Sequence, residues 1–314
     1  ALPNIETTPI GPALAQAERA LGAAARRFDL TLPLTFALND AGARVIIAAP
    51  IEARAANGTR LNVAPLRDDA PALVLQWPAL SLGGAVEINL SGGGAPDASM
   101  LLDQITWEQG GPFETEGTIS IVDWRANGAS IAAQDLIVRI AAPSGRSGRL
   151  DLVGPARITG PLGDGNVRDL VAELDLGVQW DEGWRVIPNQ GCLPVRLGGL
   201  DVAGLSFAAG AFRLCPTPGG ALIAADATQR LSGGFSIQGL HLNGRMAGPD
   251  AQPARLSAAS IDARFAGTAD AAQMLVQAAA PTIAVDMGAG RAIVLRGERL
   301  SADASVGDGG WNVT

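Results

Sequence analysis

Residues 191–216 read GCLPVRLGGLDVAGLSFAAGAFRLCP, and this stretch decides the predicted fold. Apolar residues alternate with small or polar ones in short runs separated by glycines, which is typical of antiparallel strands joined by tight turns. Cys192 and Cys215, the two cysteines of the chain, bracket these runs. We predict a structural disulfide between them, because an otherwise cysteine-free, strand-rich chain fits an oxidising compartment. Two free buried thiols are the alternative.

The same period of two continues on both sides of this stretch. Its longest clean run is LVAELDLGVQW at 170–180, and the whole pattern predicts about 18 to 22 antiparallel strands. Asn-Gly pairs are strong hairpin signals, and they predict turns at 57–58, 127–128 and 243–244. The predicted class is therefore mainly β, with one long antiparallel sheet running through residues 29–314.

One helix is predicted, at residues 12–28. Pro12 suits a first helical turn, and Leu14, Leu21 and Phe28 recur at helical spacing among many alanines. We expect this helix to pack on an edge or end of the sheet, with residues 1–28 forming an N-terminal segment. The alanine-rich stretch 271–280 is also compatible with a second, short helix.

Composition and charge exclude several classes of protein. The net charge is −8, and the 23 basic residues, all arginine, form no cluster, which disfavours nucleic acid and anionic membrane surfaces as partners. The longest uncharged run, 271–285, is interrupted by Gln273, Gln277 and Pro281, so it does not predict a membrane span. Both ends read as cuts within a longer chain, and we expect any export signal or anchor to lie outside these residues.

The residue types that carry catalysis or bind metals are sparse. His241 is the only histidine, and its place between two leucines predicts a solvent-facing strand position. The cysteines lack the spacing of zinc or thiol-redox motifs, and no nucleophile elbow, phosphate loop or dinucleotide fingerprint occurs. We therefore expect a protein that is not an enzyme, with no catalytic residues, no metal and no cofactor.

The cysteine block resembles the corresponding segment of YdbH-type proteins in the AsmA-like group, to which TamB belongs. The resemblance rests on GCLPVRLGGLDVAGL with the later RLCP, and on AQAERALGAAARRFDLTLPLTFAL leading to the Asn-Gly pair at 57–58. It implies a long sheet folded lengthwise into an open trough, a β-taco. It also implies a bridge through the periplasm, between inner and outer membranes, that shelters phospholipid acyl chains in an apolar groove.

Further expectations follow from this resemblance. The chain would be a fragment of an envelope protein that is anchored in the inner membrane through a segment not present here. Phospholipid would be its ligand, and its protein partners at the two membranes are not specified. The predicted groove-lining residues are Leu170, Leu174, Leu176, Val178, Val195, Leu197, Val202, Leu205, Phe207, Phe235 and Ile237.

Alternation alone leaves two other interpretations open. The same apolar residues could fill the closed core of a structural or adhesive β-sandwich or β-solenoid of a secreted surface protein. An extracellular carbohydrate-active enzyme would need paired carboxylates and exposed tryptophans. Trp180 and Trp184, flanking Asp181 and Glu182, are the only tryptophans close enough to suggest such a platform.

Overall fold

The computed structural model describes residues 8–40, 42–217, 220–246, 251–268, 271–288, 291–307 and 310–313. It contains one α-helix and 25 strands in the described residues. The elements of the N-terminal part are α1 Gly11–Arg26, β1 Phe28–Thr31, β2 Thr35–Asn39, β3 Gly42–Ile47, β4 Ile51–Ala55, β5 Arg60–Pro65, β6 Leu73–Trp77, β7 Ser81–Ser91 and β8 Ala98–Glu108.

The middle of the chain carries the longest strands together with several short ones. They are β9 Phe113–Ala126, β10 Ala129–Ser144, β11 Ser147–Leu162, β12 Gly165–Trp180, β13 Trp184–Pro188, β14 Leu193–Leu197, β15 Gly199–Val202, β16 Leu205–Phe207, β17 Gly210–Pro216 and β18 Ile223–Ala225. The C-terminal part adds β19 Leu231–Met246, β20 Pro253–Gly267, β21 Ala272–Ala279, β22 Thr282–Gly288, β23 Arg291–Arg296, β24 Arg299–Gly307 and β25 Gly310–Val313.

All of these strands belong to one sheet, and every pairing is antiparallel. Strands β7 to β12 follow one another as neighbours through successive hairpins. Several short strands then lie end to end as one row: β13, β14 and β15 each pair with β12. Beyond them, β16, β17 and β18 each pair with the long strand β19. The prediction of a mainly β chain with a long antiparallel sheet is confirmed.

The sheet has a continuous apolar face. It consists of the side chains at every second position of each strand, and these positions pair with one another across neighbouring strands. In its centre, Leu152 of β11 faces Leu176 of β12, and Leu150 faces Val178. The same face continues through Val178 and Val186 into β13. Since side chains of a strand alternate between faces, the intervening residues form an opposite, polar face.

Irregularities keep apolar residues on this face where simple alternation would lose them. Asp135 and Asp169 have φ values of +50° and +47°, and each lies at a register shift. The backbone N–H of Asp169 donates to the Thr159 hydroxyl at 3.0 Å. Because the extra residue changes the phase of β12, Val167 and Leu170 pack in the same apolar cluster although three positions separate them.

The chain exposes more surface than a compact protein of its size. Its solvent-accessible surface is 18146 Å², whereas a folded monomer of 31.9 kDa has about 12,200 Å². Only Phe207 and Val86 combine a large side chain with almost complete burial in the described residues. The chain is therefore less compact than a typical globular monomer, and its buried apolar residues form separate clusters along the sheet.

Three local predictions were wrong. The helix ends at Arg26 rather than at residue 28, because Phe28 already pairs with Ala55 in the sheet. Residues 272–279 form strand β21 instead of a second helix, since β20 and β24 supply backbone partners on both sides. The Asn-Gly pair at 243–244 lies inside β19, where it faces β20 and β16.

Other local predictions are confirmed, and some of the elements are longer than expected. The turns at 57–58 and 127–128 join β4 to β5 and β9 to β10. The predicted run at 170–180 belongs to the longer β12, and the described residues contain more strands than the pattern predicts. His241 lies in β19 and is exposed, as its position between leucines predicts.

Candidate functional site

The predicted groove residues all lie on the apolar face. The side chains of β12 face those of β14 where Ala172 pairs with Val195. The face continues through the pairs of β14 with β17 and of β17 with β19, which place Val195 beside Phe212 and Leu214 beside Ile237. The register thus brings the predicted groove residues together on one surface, while their role in binding lipid stays a prediction.

This face has a packed part and a half-exposed part. Val195, Leu197 and Phe207 are only 3, 4 and 1% exposed, so they support the sheet and offer little surface to a ligand. Around Leu197 and Phe207, the packed cluster also contains Val167, Leu240 and Leu242, with Leu170, Val202, Leu205 and Ile237 against it.

The half-exposed part lies near the first residues of β11 and the last residues of β12. Leu174, Leu176 and Val178 are half-buried, as are Leu150 and Leu152 on the neighbouring strand. This is the part of the face that could accept apolar groups from a ligand. Leu150 and Leu152 were missed as groove residues, although their alternation with Arg149, Asp151 and Val153 was the available signal.

The opposite face carries cross-strand ion pairs. Arg139 of β10 bonds Glu116 of β9, and Arg196 of β14 bonds Glu173 of β12, each at 2.9 Å. The hydrogen bond from Arg139 to Glu116 raises the pKa of that guanidinium above its ordinary value. Since these groups remain substantially exposed, they define a wetted face and add little stability individually.

A denser polar network surrounds Asp151 on the same face. Arg149 reaches Asp151 at 2.8 Å, and Asn189 donates to Asp151 at 3.1 Å and to Asp175 at 2.9 Å. The hydrogen bond from Arg149, helped by the one from Asn189, lowers the pKa of Asp151 below its ordinary value. The network joins β11, β12 and the segment after β13 behind the half-exposed part of the apolar face.

The helix lies along one margin of the sheet, which we call the helix margin and define by the turns at 57–58, 92–96 and 127–128. Ala13 is fully buried against Ala126, Ala129 and the partly buried Trp124. Further along α1, the side-chain amide of Asn57 donates to the Ala20 carbonyl at 2.9 Å. The helix thus covers the apolar face along this margin.

The disulfide joins two neighbouring rows of the sheet. Cys192 and Cys215 are bonded, and they lie next to the paired residues Leu193 and Leu214. The bond sits where β13 gives way to β14, so it holds the rows together at an interruption in the strand pairing. This confirms the predicted pairing and excludes the alternative of free thiols.

The opposite margin is rich in tryptophan, and we call it the tryptophan margin, defined by the turns at 78–80, 109–112 and 181–183. Trp180 ends β12, Trp184 begins β13, and the two face each other across the turn. A cleft of about 910 Å³ opens there, and Asp181, Glu182 and Arg185 lie in its wall. The two tryptophans and two carboxylates named above for a carbohydrate-active enzyme therefore lie together, but both indoles are half-buried rather than exposed.

No described cluster of three or more histidine, cysteine, aspartate or glutamate side chains is arranged to hold a metal ion. The one helix in the described residues is too short and too polar to cross a bilayer. No protein-family model, curated protein or solved structure matches this chain. The site is accordingly defined by the apolar face, its polar reverse and the two margins.

Proposed function

We propose that this chain is a segment of a periplasmic, bridge-like lipid carrier in which the apolar face forms the floor of a groove for phospholipid acyl chains. The single observation that supports this proposal most is the continuous, half-exposed apolar face through Leu152, Leu176 and Val178. A sheet with one apolar and one ionic face needs a cover for the first, and in this proposal the sheet forms an open trough in which lipid supplies that cover.

Acyl chains fit such a surface on physical grounds. Burial of a hydrocarbon chain is non-directional and contributes about 0.8 kcal/mol for each CH₂ group. It therefore needs aliphatic area rather than placed polar groups, and the half-exposed part supplies leucine and valine side chains along β11 and β12. The accessible surface of the chain, larger than that of a compact monomer, favours this proposal over a compact closed sandwich.

The compartment is part of the same proposal. A disulfide is expected in an oxidising environment such as the periplasm. With the resemblance to AsmA-like proteins, this favours an envelope protein whose inner-membrane anchor and membrane contacts lie outside residues 1–314. Phospholipid is then the ligand, and the proposed role is transport rather than catalysis.

The decisive experiment is mass spectrometry of lipids extracted from the purified chain, repeated on a matched pair of variants. Leu176→Asp places a carboxylate on the half-exposed apolar face, and Val171→Asp makes the same kind of change on the polar face of the same strand. We expect phospholipid on the unmodified chain, at least threefold less on Leu176→Asp, and an unchanged amount on Val171→Asp.

Two results would contradict the proposal. One is an absence of phospholipid on the unmodified chain. The other is complete loss of folding in Leu176→Asp, measured by circular dichroism. A carboxylate buried without a partner is very costly, so unfolding would mean that Leu176 belongs to a closed core.

A further inference from the structure

The tryptophan margin carries an aromatic line that the proposed function does not by itself require. Trp77 ends β6, Trp107 lies next to the end of β8, and Phe113 begins β9. Trp180 and Trp184 continue the line four and five strands beyond β8, and at about 4.8 Å per strand the path along the sheet from Trp107 to Trp180 is about 19 Å.

These aromatic residues lie on the apolar face, at the place where it meets water. Trp107 pairs with Leu82 and Phe113, and Trp180 follows Leu176 and Val178 on the same side of β12. In the described part of the chain, the indole N–H groups of Trp180 and Trp184 donate no hydrogen bond. An amphipathic ring with a free donor is suited to a boundary between hydrocarbon and polar headgroups.

The cleft at Trp180 and Trp184 adds charges of both signs. Arg185 pairs with Gln179 on the polar face, donates to its amide oxygen at 2.9 Å and forms no ion pair within the described residues. Asp181 and Glu182, in the neighbouring turn, are exposed and likewise have no cationic partner there. A guanidinium and two carboxylates without ion-pair partners in the wall of one cleft complement a ligand that carries both a phosphate and an ammonium group.

The two margins differ in what they leave accessible. At the helix margin, α1 covers the apolar face through Ala13 and its contacts with Trp124. At the tryptophan margin the face runs directly into the cleft, which is lined by residues of both faces, such as Trp180 and Arg149. A lipid whose chains lie on Leu176 and Val178 could place its headgroup only at a margin that is not covered.

We infer that the tryptophan margin is the headgroup side of the sheet, and that the cleft at Trp180 and Trp184 binds a zwitterionic glycerophospholipid headgroup with phosphate and primary ammonium. The phosphate lies toward Arg185, the ammonium lies toward Asp181 and Glu182, and the indoles bracket the glycerol ester region. This inference rests on the proposed function, since the acyl chains of the same lipid occupy the apolar face.

The test is incubation of the chain with vesicles of equal phosphatidylethanolamine and phosphatidylglycerol, followed by re-isolation. Total bound phospholipid and the ratio of the two headgroups are both measured by mass spectrometry. We expect the unmodified chain to favour phosphatidylethanolamine at least threefold. The double variant Asp181→Asn with Glu182→Gln should bring the ratio near one, because it removes the ammonium partners and the repulsion of an anionic headgroup.

Arginine variants provide the matched comparison. Arg185→Gln removes the unpaired guanidinium of the cleft and should lower phosphatidylethanolamine uptake at least threefold. Arg213→Gln removes an exposed guanidinium of β17 that forms no ion pair in the described residues and lies outside the cleft. It should leave both the amount and the ratio unchanged.

The remaining outcomes would overturn the headgroup assignment alone or both proposals together. Unchanged total phospholipid with a ratio that no cleft variant alters would overturn the headgroup assignment and leave the acyl-binding face intact. Absence of phospholipid from every sample would overturn both proposals. If instead cellohexaose binds the chain, and Trp184→Ala abolishes that binding while phospholipid is absent, the cleft is a carbohydrate site and the headgroup assignment is wrong.

Discussion

Gly244 illustrates at the scale of one residue how packing overrides a strong local signal. Asn243 and Gly244 form an Asn-Gly pair, yet they lie inside β19 and not in a turn. A Cβ atom on Gly244 would lie 2.2 Å from the Ser206 carbonyl oxygen and 2.7 Å from the Phe207 Cα. The glycine is therefore needed for the close approach of β16, whose Phe207 is the most buried large side chain of the described residues.

This contact predicts a destabilising effect of Gly244→Ala. The added methyl group must displace the backbone of β16, and overpacking of this kind costs about 1–3 kcal/mol. Urea denaturation should show that loss. Gly145→Ala is the control, because an added Cβ meets no atom within 4 Å there; equal effects of both variants would contradict the packing argument.

Asp151 predicts a pH dependence of stability. Its hydrogen bonds with Arg149 and Asn189 hold its pKa in the folded state below the value of about 3.9 in an unfolded chain. The ionised carboxylate therefore stabilises the fold above pH 3.9, and this contribution is lost as pH falls through the lower folded pKa. Asp151→Asn should reduce the loss of stability between pH 5 and pH 2.

The measurement is the urea midpoint of both chains across that pH range. Asp164→Asn serves as the control, since Asp164 lies in the turn between β11 and β12 and has no ion pair in the described residues. A pH profile of Asp151→Asn identical to that of the unmodified chain would show that the network around Arg149 does not couple to folding.

At the scale of elements, α1 depends on a slim surface. Its alanines allow close contact, with Ala13 and Ala20 buried while Leu14 and Leu21 are 43% exposed. The helix is held by this small-residue contact and by the hydrogen bond from Asn57 to the Ala20 carbonyl. We therefore expect α1 to detach from the sheet more readily than the long strands separate from one another.

Ala13→Glu should detach this helix without unfolding the sheet. The buried site has no partner for a carboxylate, so the contact with Ala126 and Ala129 would be lost. Hydrogen exchange of the α1 backbone should accelerate at least tenfold while β11 and β12 remain protected. Ala23→Glu, on the exposed side of the helix, should leave exchange unchanged; acceleration in both variants would contradict the assigned contact.

Strand β21 shows at the same scale why composition misleads. Residues 272–279 are rich in alanine, which favours a helix, but Met274 and Val276 continue the apolar face beside Phe265 and Ala263. Pairing with β20 and β24 satisfies the backbone on both sides. Two sheet neighbours therefore decide the conformation over a weak local preference.

At the scale of the molecule, the large exposed area means that few long-range contacts brace the sheet apart from its own strand pairing. The disulfide is one of them, and it joins two rows where β13 and β14 are interrupted. We expect this bond to contribute more than it would in a fold with a thick core, because few large side chains of the described residues are almost completely buried.

Removal of the disulfide should therefore be measurable. The double variant Cys192→Ser with Cys215→Ser should lose about 3 kcal/mol of unfolding free energy, the magnitude for a loop of this length. Guanidinium denaturation gives the value, and the unmodified chain unfolded in the presence of a reductant should match the double variant. A loss well below 1 kcal/mol would show that strand pairing alone holds the two rows.

The sequence by itself determined the mainly β class, the turns at 57–58 and 127–128, and the cysteine pair. Period-two alternation and turn chemistry act over short distances along the chain. Two cysteines allow only one intramolecular pairing. Only the tertiary structure decided that β21 is a strand, that Gly244 serves packing, and that Trp107 and Trp180 share a margin. Those outcomes depend on the register between strands far apart in sequence, and a shift of one residue would exchange the two faces.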